Sequence, residues 1–373
     1  MGTSYEVSSS DNLAKKLWSE RLYQDTVHNK DLSGMLVSEG VVVVESNLVK
    51  QGGDRVRKNW STRIGSKGVI GDAPVRPNAV SISYATDDVI IDKLTLATKA
   101  KTKGSMAQQR TAFDLQDSVY AEATNWYIQR CNTGMTFQLG GYNAATITYD
   151  GITYTGDDRL EVTGLQIPTA PTTYRKQFAV TTDSADTDVS TDATMNLQAI
   201  DRCVTAARTQ NSGVNNFKPL VGKEYQFLLL VGSTGFQQLI QQAQSNGNLT
   251  VSQMILNQLA GGKRDAFNVG NSFIYNGTKV VEVSDHYIPF GLNSTTPIST
   301  VKRALFLGAE AGCLAFGKGF DGAGDPVAGF NFVEDEDPIE NEIIVKVESV
   351  MGIKKAVVNS YDQSVMTLSY YHA

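Results

Sequence analysis

Of the residues able to do acid–base or nucleophilic chemistry, this 373-residue chain carries few, beginning with only three histidines, His28, His286 and His372. His28 lies in an extended N-terminal stretch and His372 stands next to the last residue, so neither is placed as a catalytic base. Asp285 and His286 are adjacent, but neighbours on a strand point to opposite faces. No G-x-S-x-G elbow supplies a nucleophile for a Ser-His-Asp relay. Cys131, Cys203 and Cys313 are odd in number and widely separated, with no C-x-x-C pair. Neither a zinc site nor a disulfide framework follows, and they read as reduced thiols of a chain made in a cytoplasm.

Anion and metal chemistry fare little better. Gly317-x-Gly319-x-x-Gly322 matches a dinucleotide fingerprint, yet Gly and Pro continue in DGAGDPVAGFN where a helix should start, which predicts a loop. Gly232-Ser-Thr-Gly235 sits between an expected strand and helix, where backbone amides can hold an anion. It lacks the Walker lysine and spacing, so it reads as a helix cap. Glu334, Asp335, Glu336 and Asp337, with Glu340 and Glu342 behind, offer oxygen ligands without the glycine turn of a calcium loop. They read as a solvated or interface-facing acidic loop. Lys99, Lys101 and Lys103 form a basic cluster between Lys93 and Arg110. That cluster is a solvated strand end, an inter-subunit charge contact or a DNA-side contact, and the acidic loop of a neighbouring copy would complement it. No catalytic residue, cofactor or metal is expected.

The elements that would position these residues are mixed. Charged residues make up 19% of the chain, below the usual share of about 25%, and 33 glycines point to strands, turns and interface surface. A net charge of −6 argues against a protein that reads nucleic acid through a basic field, without excluding a wall that faces DNA. The longest aliphatic run, Val41 to Val44, is far short of the ~20 residues of a membrane span. Asp11, Lys15, Lys16, Glu20 and Arg21 leave no apolar signal core near the start.

Asp11 can cap a short helix carrying Leu13, Leu17, Trp18 and Leu22. Residues 55–100 predict a long β-hairpin with a breaker-rich tip, too poor in apolar residues to be stable unless it lies on something else. Ser105-x-x-Gln108 is a capping box opening a long helix with Leu115, Val119, Ala123 and Trp126 on one stripe. Gly134 and Gly140-Gly141 are expected to close it, giving roughly 40–50 Å of spine. Asp150-Gly151 and Gly156-Asp157 predict hairpin turns. The polar stretch TTDSADTDVSTDAT predicts an exposed loop feeding a helix over 194–210. From residue 224 the pattern is α/β: a buried strand in EYQFLLLVG, helices Ser233–Gln244 and Val251–Leu259, and a hairpin turning at Asn276-Gly277. An apolar strand in KRALFLGAEAGCLAFGKG follows, then a long strand pair in ENEIIVKVESVMGIKKAVVN and a last strand in SVMTLSYY.

This order of elements resembles the Hong Kong 97-type capsid fold of tailed phages. The pieces LAKKLWSE (13–20), QGGDRV (51–56), GVIGDAP (68–74), DDVIIDKL (87–94) and QQRTAFDLQDSVYAEATNWYIQR (108–130) are similar to the major capsid proteins of N-four-like podophages. So are KRALFLGAEAGCLAFG (302–317) and FNFVEDEDPIENE with MGIKKAVVN (330–359), while 141–190 matches least well. The resemblance implies an α+β chain with an N-arm over 1–54 and an extended E-loop hairpin over 55–104. It implies a P-domain over 105–191 whose spine helix spans 105–140, with a β-hairpin insertion over 141–190. An A-domain over 192–330 and a return to the P-domain sheet over 331–373 complete it. The implied function is a virion head shell of hexamers and pentamers enclosing double-stranded DNA without sequence-specific binding. The implied partners are further copies of itself, with scaffold, portal and cement or decoration proteins, and no membrane. Contact candidates are Trp18, Lys67, Arg76, Lys99, Lys101, Lys103, Glu334, Asp335, Glu336 and Asp337. Some relatives of the fold cross-link through an E-loop lysine, a role not assigned to Lys67. The competing readings are an encapsulin-like compartment, a nucleotide-dependent enzyme on the α/β half, and a β-rich adhesin or decoration protein.

Overall fold

The structure is a computed structural model that describes residues 32–46, 48, 52–61, 68–71, 74–76, 79, 81, 84–101, 115–209, 217–245, 272–320, 326–337 and 342–372. The expected arm helix with Trp18, the capping box at Ser105, the helix Val251–Leu259, and Lys67 and Lys103 lie outside these residues.

In chain order the described elements begin with α1 (Leu32–Ser38), β1 (Val42–Glu45), β2 (Arg55–Ser61), β3 (Tyr84–Ile90), β4 (Asp92–Lys101) and α2 (Leu115–Gly140). Then come β5 (Thr146–Tyr149), β6 (Ile152–Thr155), β7 (Lys176–Phe178), α3 (Leu197–Arg208), β8 (Phe227–Gly232) and α4 (Ser233–Ser245). After these run β9 (Ser272–Tyr275), β10 (Thr278–Val283), β11 (Phe290–Asn293), β12 (Thr296–Leu307), β13 (Gly312–Phe316), β14 (Lys318–Phe320) and β15 (Pro326–Ala328). The chain closes with β16 (Phe330–Asp337), β17 (Glu342–Lys355), β18 (Val357–Val358), β19 (Tyr361–Asp362) and β20 (Val365–Tyr371).

Two sheets carry the body. In one, β17 is the centre: β4 lies along one side, β16 and then β13 along the other, and β1 pairs parallel with β13. In the other, the order is β7-β20-β12-β8-β10-β9, with β11 paired to β12. β8 explains why FLLLVG is apolar throughout. Phe227, Leu229 and Val231 pack with α3 and α4, whereas Leu228 and Leu230 pack with α2. A strand covered on both faces has no solvent side on which to place polar residues.

Helix α2 lies between the sheets. Ala123, Tyr127, Cys131, Met135 and Leu139 recur every four residues and enter one core with Leu94, Val347 and Ile353 of the first sheet and Leu305 and Val365 of the second. From Arg130 to Gly140 every residue is buried. Gly134 does not end the helix as expected. A Cβ there would lie 3.1 Å from the Cα of Gly164 and from Ile353 Cδ1, so the glycine permits a close backbone approach. The helix ends at Gly141 (φ 60°), where the Gly141 amide bonds Gln138 O and the Tyr142 amide bonds Phe137 O, a Schellman closure.

The turns at Asp150-Gly151 (φ 51° and 76°) and Asn276-Gly277 (φ 45° and 72°) have the left-handed pair a two-residue hairpin needs. Four other expectations change or sharpen. Gly156–Glu161 forms a 3₁₀ helix instead of a second hairpin turn. Within the expected strand pair, EIIVKVESVMGIKK is one 14-residue strand, β17. The acidic run 334–337 is strand, not loop, because Phe330 to Asp337 pairs along β17. The stretch TTDSADTDVSTDAT is not wholly exposed, since Asp186 inside it is buried.

Sheet membership also divides the chain differently from the expected segments. The hairpin ends at Ile90, and β4, placed in the arm by the 55–104 reading, joins the β17 sheet along ten residue pairs. β13 precedes residue 331 but belongs to the β17 sheet, and β20 follows it but belongs to the other. Long-range strand pairing is set by facing side chains rather than by chain order, so a single cut at 330 cannot separate the sheets.

Candidate inter-subunit surfaces

β2 and β3 form an antiparallel pair from Arg55–Ile90 to Ser61–Tyr84. Val56 and Val89 root its base in a small cluster with Leu48, Ile91, Cys313 and Ala315. Lys354 adds a clamp: its ammonium binds the Asp87 carboxylate and donates to Asp88 O at 2.8 Å, while the Val357 amide donates to Asp87 at 3.0 Å. Arg57 forks onto Asp88 at 2.8 and 2.9 Å, which holds the Asp88 carboxyl below the usual carboxylate range. Beyond this root, apolar residues face solvent: Ile70 is 95% exposed, Val75 68% and Tyr84 67%. Arg76 is exposed beside Val75.

The outward face of the β17 sheet collects charge. Along β17, Ile343, Val345 and Val347 are buried while Glu342, Lys346 and Glu348 between them are half-buried. Lys99 and Lys101 both meet Glu342, at 3.5 and 2.7 Å, and Lys93 and Lys346 both meet Glu348 at 2.6 Å. Burial alone would raise the Glu348 carboxyl, but hydrogen bonds from Lys346, Lys93 and Asn331 bring it down to about 2. The expected basic cluster therefore finds acidic partners within its own copy. The expected acidic run lies on the opposite edge, with Asp335 exposed and Glu334 half-buried on β16. The structure brings Lys99 and Lys101 together, and separates them from Glu334 and Asp335 by the width of β17.

Three buried arrangements were not visible in the sequence. Arg303, on β12, forks onto Asp186 and donates to the carbonyls of Gly140 and Gly141 at 3.2 and 3.3 Å, tying off the end of α2. Asp186 also accepts from Ser369 Oγ at 2.7 Å and from the Leu292 amide at 2.9 Å. Lys355 and Asp362 pair at 2.8 Å with almost no exposure, and burial pushes the Lys355 ammonium down. The phenol of Tyr127 meets Leu94 O and Val347 O at 3.0 and 2.9 Å, across the β4–β17 seam. A charge inside the apolar run KRALFL was the one available signal. It called for a buried partner without saying which.

The remaining chemical candidates are absorbed by structure. At Gly232–Gly235 the Asp285 carboxylate accepts from the Thr234 amide at 3.3 Å and hydroxyl at 3.0 Å, so the helix end is already capped by an anion of its own chain. Lys302 donates to Ile288 O at 3.1 Å, and burial pushes its ammonium down to about 8. His286 packs against Tyr149 with tilted rings 4.4 Å apart and is 3.7 Å from Asp150, on the surface. The three cysteines are buried, which pushes their thiols up to about 12. Among the described residues no group of three or more His, Cys, Asp or Glu is placed to hold a metal. Among the same residues no helix is long and apolar enough to cross a membrane.

A family model described as phage capsid protein matches residues 6–367. The chain belongs to this phage capsid family. The family is structural, so this chain is a major capsid protein of a phage head shell and not an enzyme. Solved structures agree on the Hong Kong 97-like fold. The capsid of Ralstonia phage GP4 is similar at a TM-score of 0.73 and 19% identity, over 100% of this chain and 99% of that one. The capsid protein of cyanophage Pam1 follows at 0.63 and 16%, over 90% and 89% of the two chains. The head of Helicobacter pylori bacteriophage KHP40 gives 0.56 and 15%, over 100% and 95%. No curated protein matches the chain.

Proposed function

We propose that this capsid protein assembles as hexamers and pentamers into an icosahedral head that encloses double-stranded DNA. In this reading the β2–β3 hairpin of each copy lies over an adjacent copy. The observation that carries it is the hairpin's own composition: Ile70, Val75 and Tyr84 are more exposed than a stable two-stranded ribbon can sustain alone. Laid on a neighbour, the same residues become interface, and many weak contacts add over a closed shell. Arg76 and Lys67 sit on the same stretch and are contact candidates there, as Trp18 is on the N-arm. The net charge of −6 suits a wall that holds DNA without binding its sequence. Scaffold, portal and decoration proteins complete the partners of such a shell.

The test is a chain in which residues 62–83 are replaced by an Asn-Gly turn. No described strand of the two body sheets comes from this segment, so the isolated subunit should keep its unfolding midpoint while electron microscopy shows no shells. Shells at the unaltered yield, or an unaltered chain that stays monomeric at every concentration, would overturn the reading.

A further inference from the structure

We propose that the two lateral edges of the β17 sheet join copies head to tail, the β4 edge of one copy against the β16 edge of the next. The proposal rests on the shell reading above and names one contact within it. β4 and β16 lie on opposite sides of β17, and both run antiparallel to it, so they run parallel to each other. Among the described residues each pairs only with β17, so no described strand lies along either outer edge.

Their registers match row by row. Lys99 and Asp335 both stand opposite Ile344, Ala97 and Val333 opposite Lys346, and Thr95 and Asn331 opposite Glu348. A neighbour in the same orientation, one strand spacing of about 4.8 Å further on, sets a cation against an anion, a methyl against an isopropyl, and a hydroxyl against an amide. The reverse pairing of like with unlike rows would need a shift along the strands. Lys99 has a side chain 65% exposed, and Val333, an aliphatic residue on an acidic edge, is 39% exposed.

Charge has the same sense. The β4 sequence DKLTLATKAK contains three lysines and one acidic residue, so this strand is net positive. The β16 sequence FNFVEDED contains four acidic residues and no lysine or arginine. The two edges are different surfaces of one chain, so the contact is heterologous and closes into a ring when each copy is rotated from the last. The rival account is that the lysines only blunt an open sheet edge against unwanted pairing.

Charge reversal separates the two. Lys99→Glu sets two anions against each other in the Lys99–Asp335 row and Asp335→Lys sets two cations there, so each variant alone should need about tenfold more protein to assemble. Mixed in equal amounts they should assemble again, because the reversed edge of each fits the reversed edge of the other. The mixture has to alternate around a ring, so it should form hexamers and flat or tubular arrays but no pentamers. Assembly of either variant at the unaltered threshold, or a mixture no better than its parts, would overturn the contact. Should Lys99→Glu not fold, Lys99→Gln decides by the same threshold, a smaller defect supporting the contact and none removing it. If the unaltered chain assembles throughout, these failures leave the shell reading standing. If it never assembles, that reading falls and the edge contact with it.

Discussion

Two arginine–aspartate forks in this capsid protein have the same chemistry and opposite surroundings. Arg303 and Asp186 have side chains 5% and 6% exposed, and their bonds reach the end of α2, the 181–194 stretch, β11 and β20. Arg303 brings two nitrogens onto the one Oδ2 of Asp186, whereas Arg57 spans both oxygens of Asp88 across the hairpin, at 2.8 and 2.9 Å, with side chains 65% and 26% exposed. In the first pair low dielectric strengthens the attraction, and every neighbouring group relies on it. In the second, water screens most of it. The buried pair thus completes its interactions within one copy. The hairpin is tied to the body at its root, through Val56, Val89 and Lys354, while Ile70, Val75 and Tyr84 beyond it face solvent, the surface that the proposed shell would cover.

The sharpest way to break this contrast is Arg303→Leu. It strands the Asp186 carboxylate in the interior and frees the carbonyls at the end of α2, so the isolated subunit should lose about 3–5 kcal/mol in urea unfolding. A loss near zero would mean that water reaches the pair and that the two forks do not differ. Tyr127→Phe comes next. Its phenol is buried against two carbonyls of the β4–β17 seam, and burial pushes it well above the ordinary phenol range. Its removal should cost about 1–2 kcal/mol by the same measurement, because a phenylalanine fills the space but leaves the carbonyls short of a donor. Hydrogen exchange at Leu96 and Val347 should speed up with it.

The contrast also marks what a sequence makes legible. Local chemistry was readable: Asp150-Gly151 and Asn276-Gly277 turn as their residue types require, and FLLLVG is buried on both sides as its composition demands. The exposed, unsupported hairpin was readable too, since a scarcity of apolar residues is a property of the segment itself. What failed were readings that needed a partner from far along the chain. Gly134 reads as a helix stop until Gly164 arrives against it, and Asp186 reads as solvated until Arg303, 117 positions later, takes its charge. The acidic run 334–337 reads as a loop because its pairing with β17 is not written in its own residues. The residues around Lys99 and Lys101 leave a solvated strand end, an inter-subunit charge contact and a DNA-side contact all open, and nothing in that segment shows that Glu342 meets both lysines within the same copy.

The smallest expected effect sharpens the comparison most, because it separates the subunit from the shell. Arg57→Leu removes an exposed fork whose partner Asp88 stays in water, so urea unfolding of the isolated subunit should match the unaltered chain. In assembled particles the hairpin is expected to lie on a neighbour, where the same fork is shielded and its loss is felt. Shells of the variant should therefore dissociate at a lower urea concentration, read by light scattering, while the subunits they release unfold as before. A destabilised subunit would instead place the arm's support within its own copy. An unchanged subunit with unchanged shells would place the fork outside the contact, and confine the interface to the tip beyond Tyr84 and to the sheet edges.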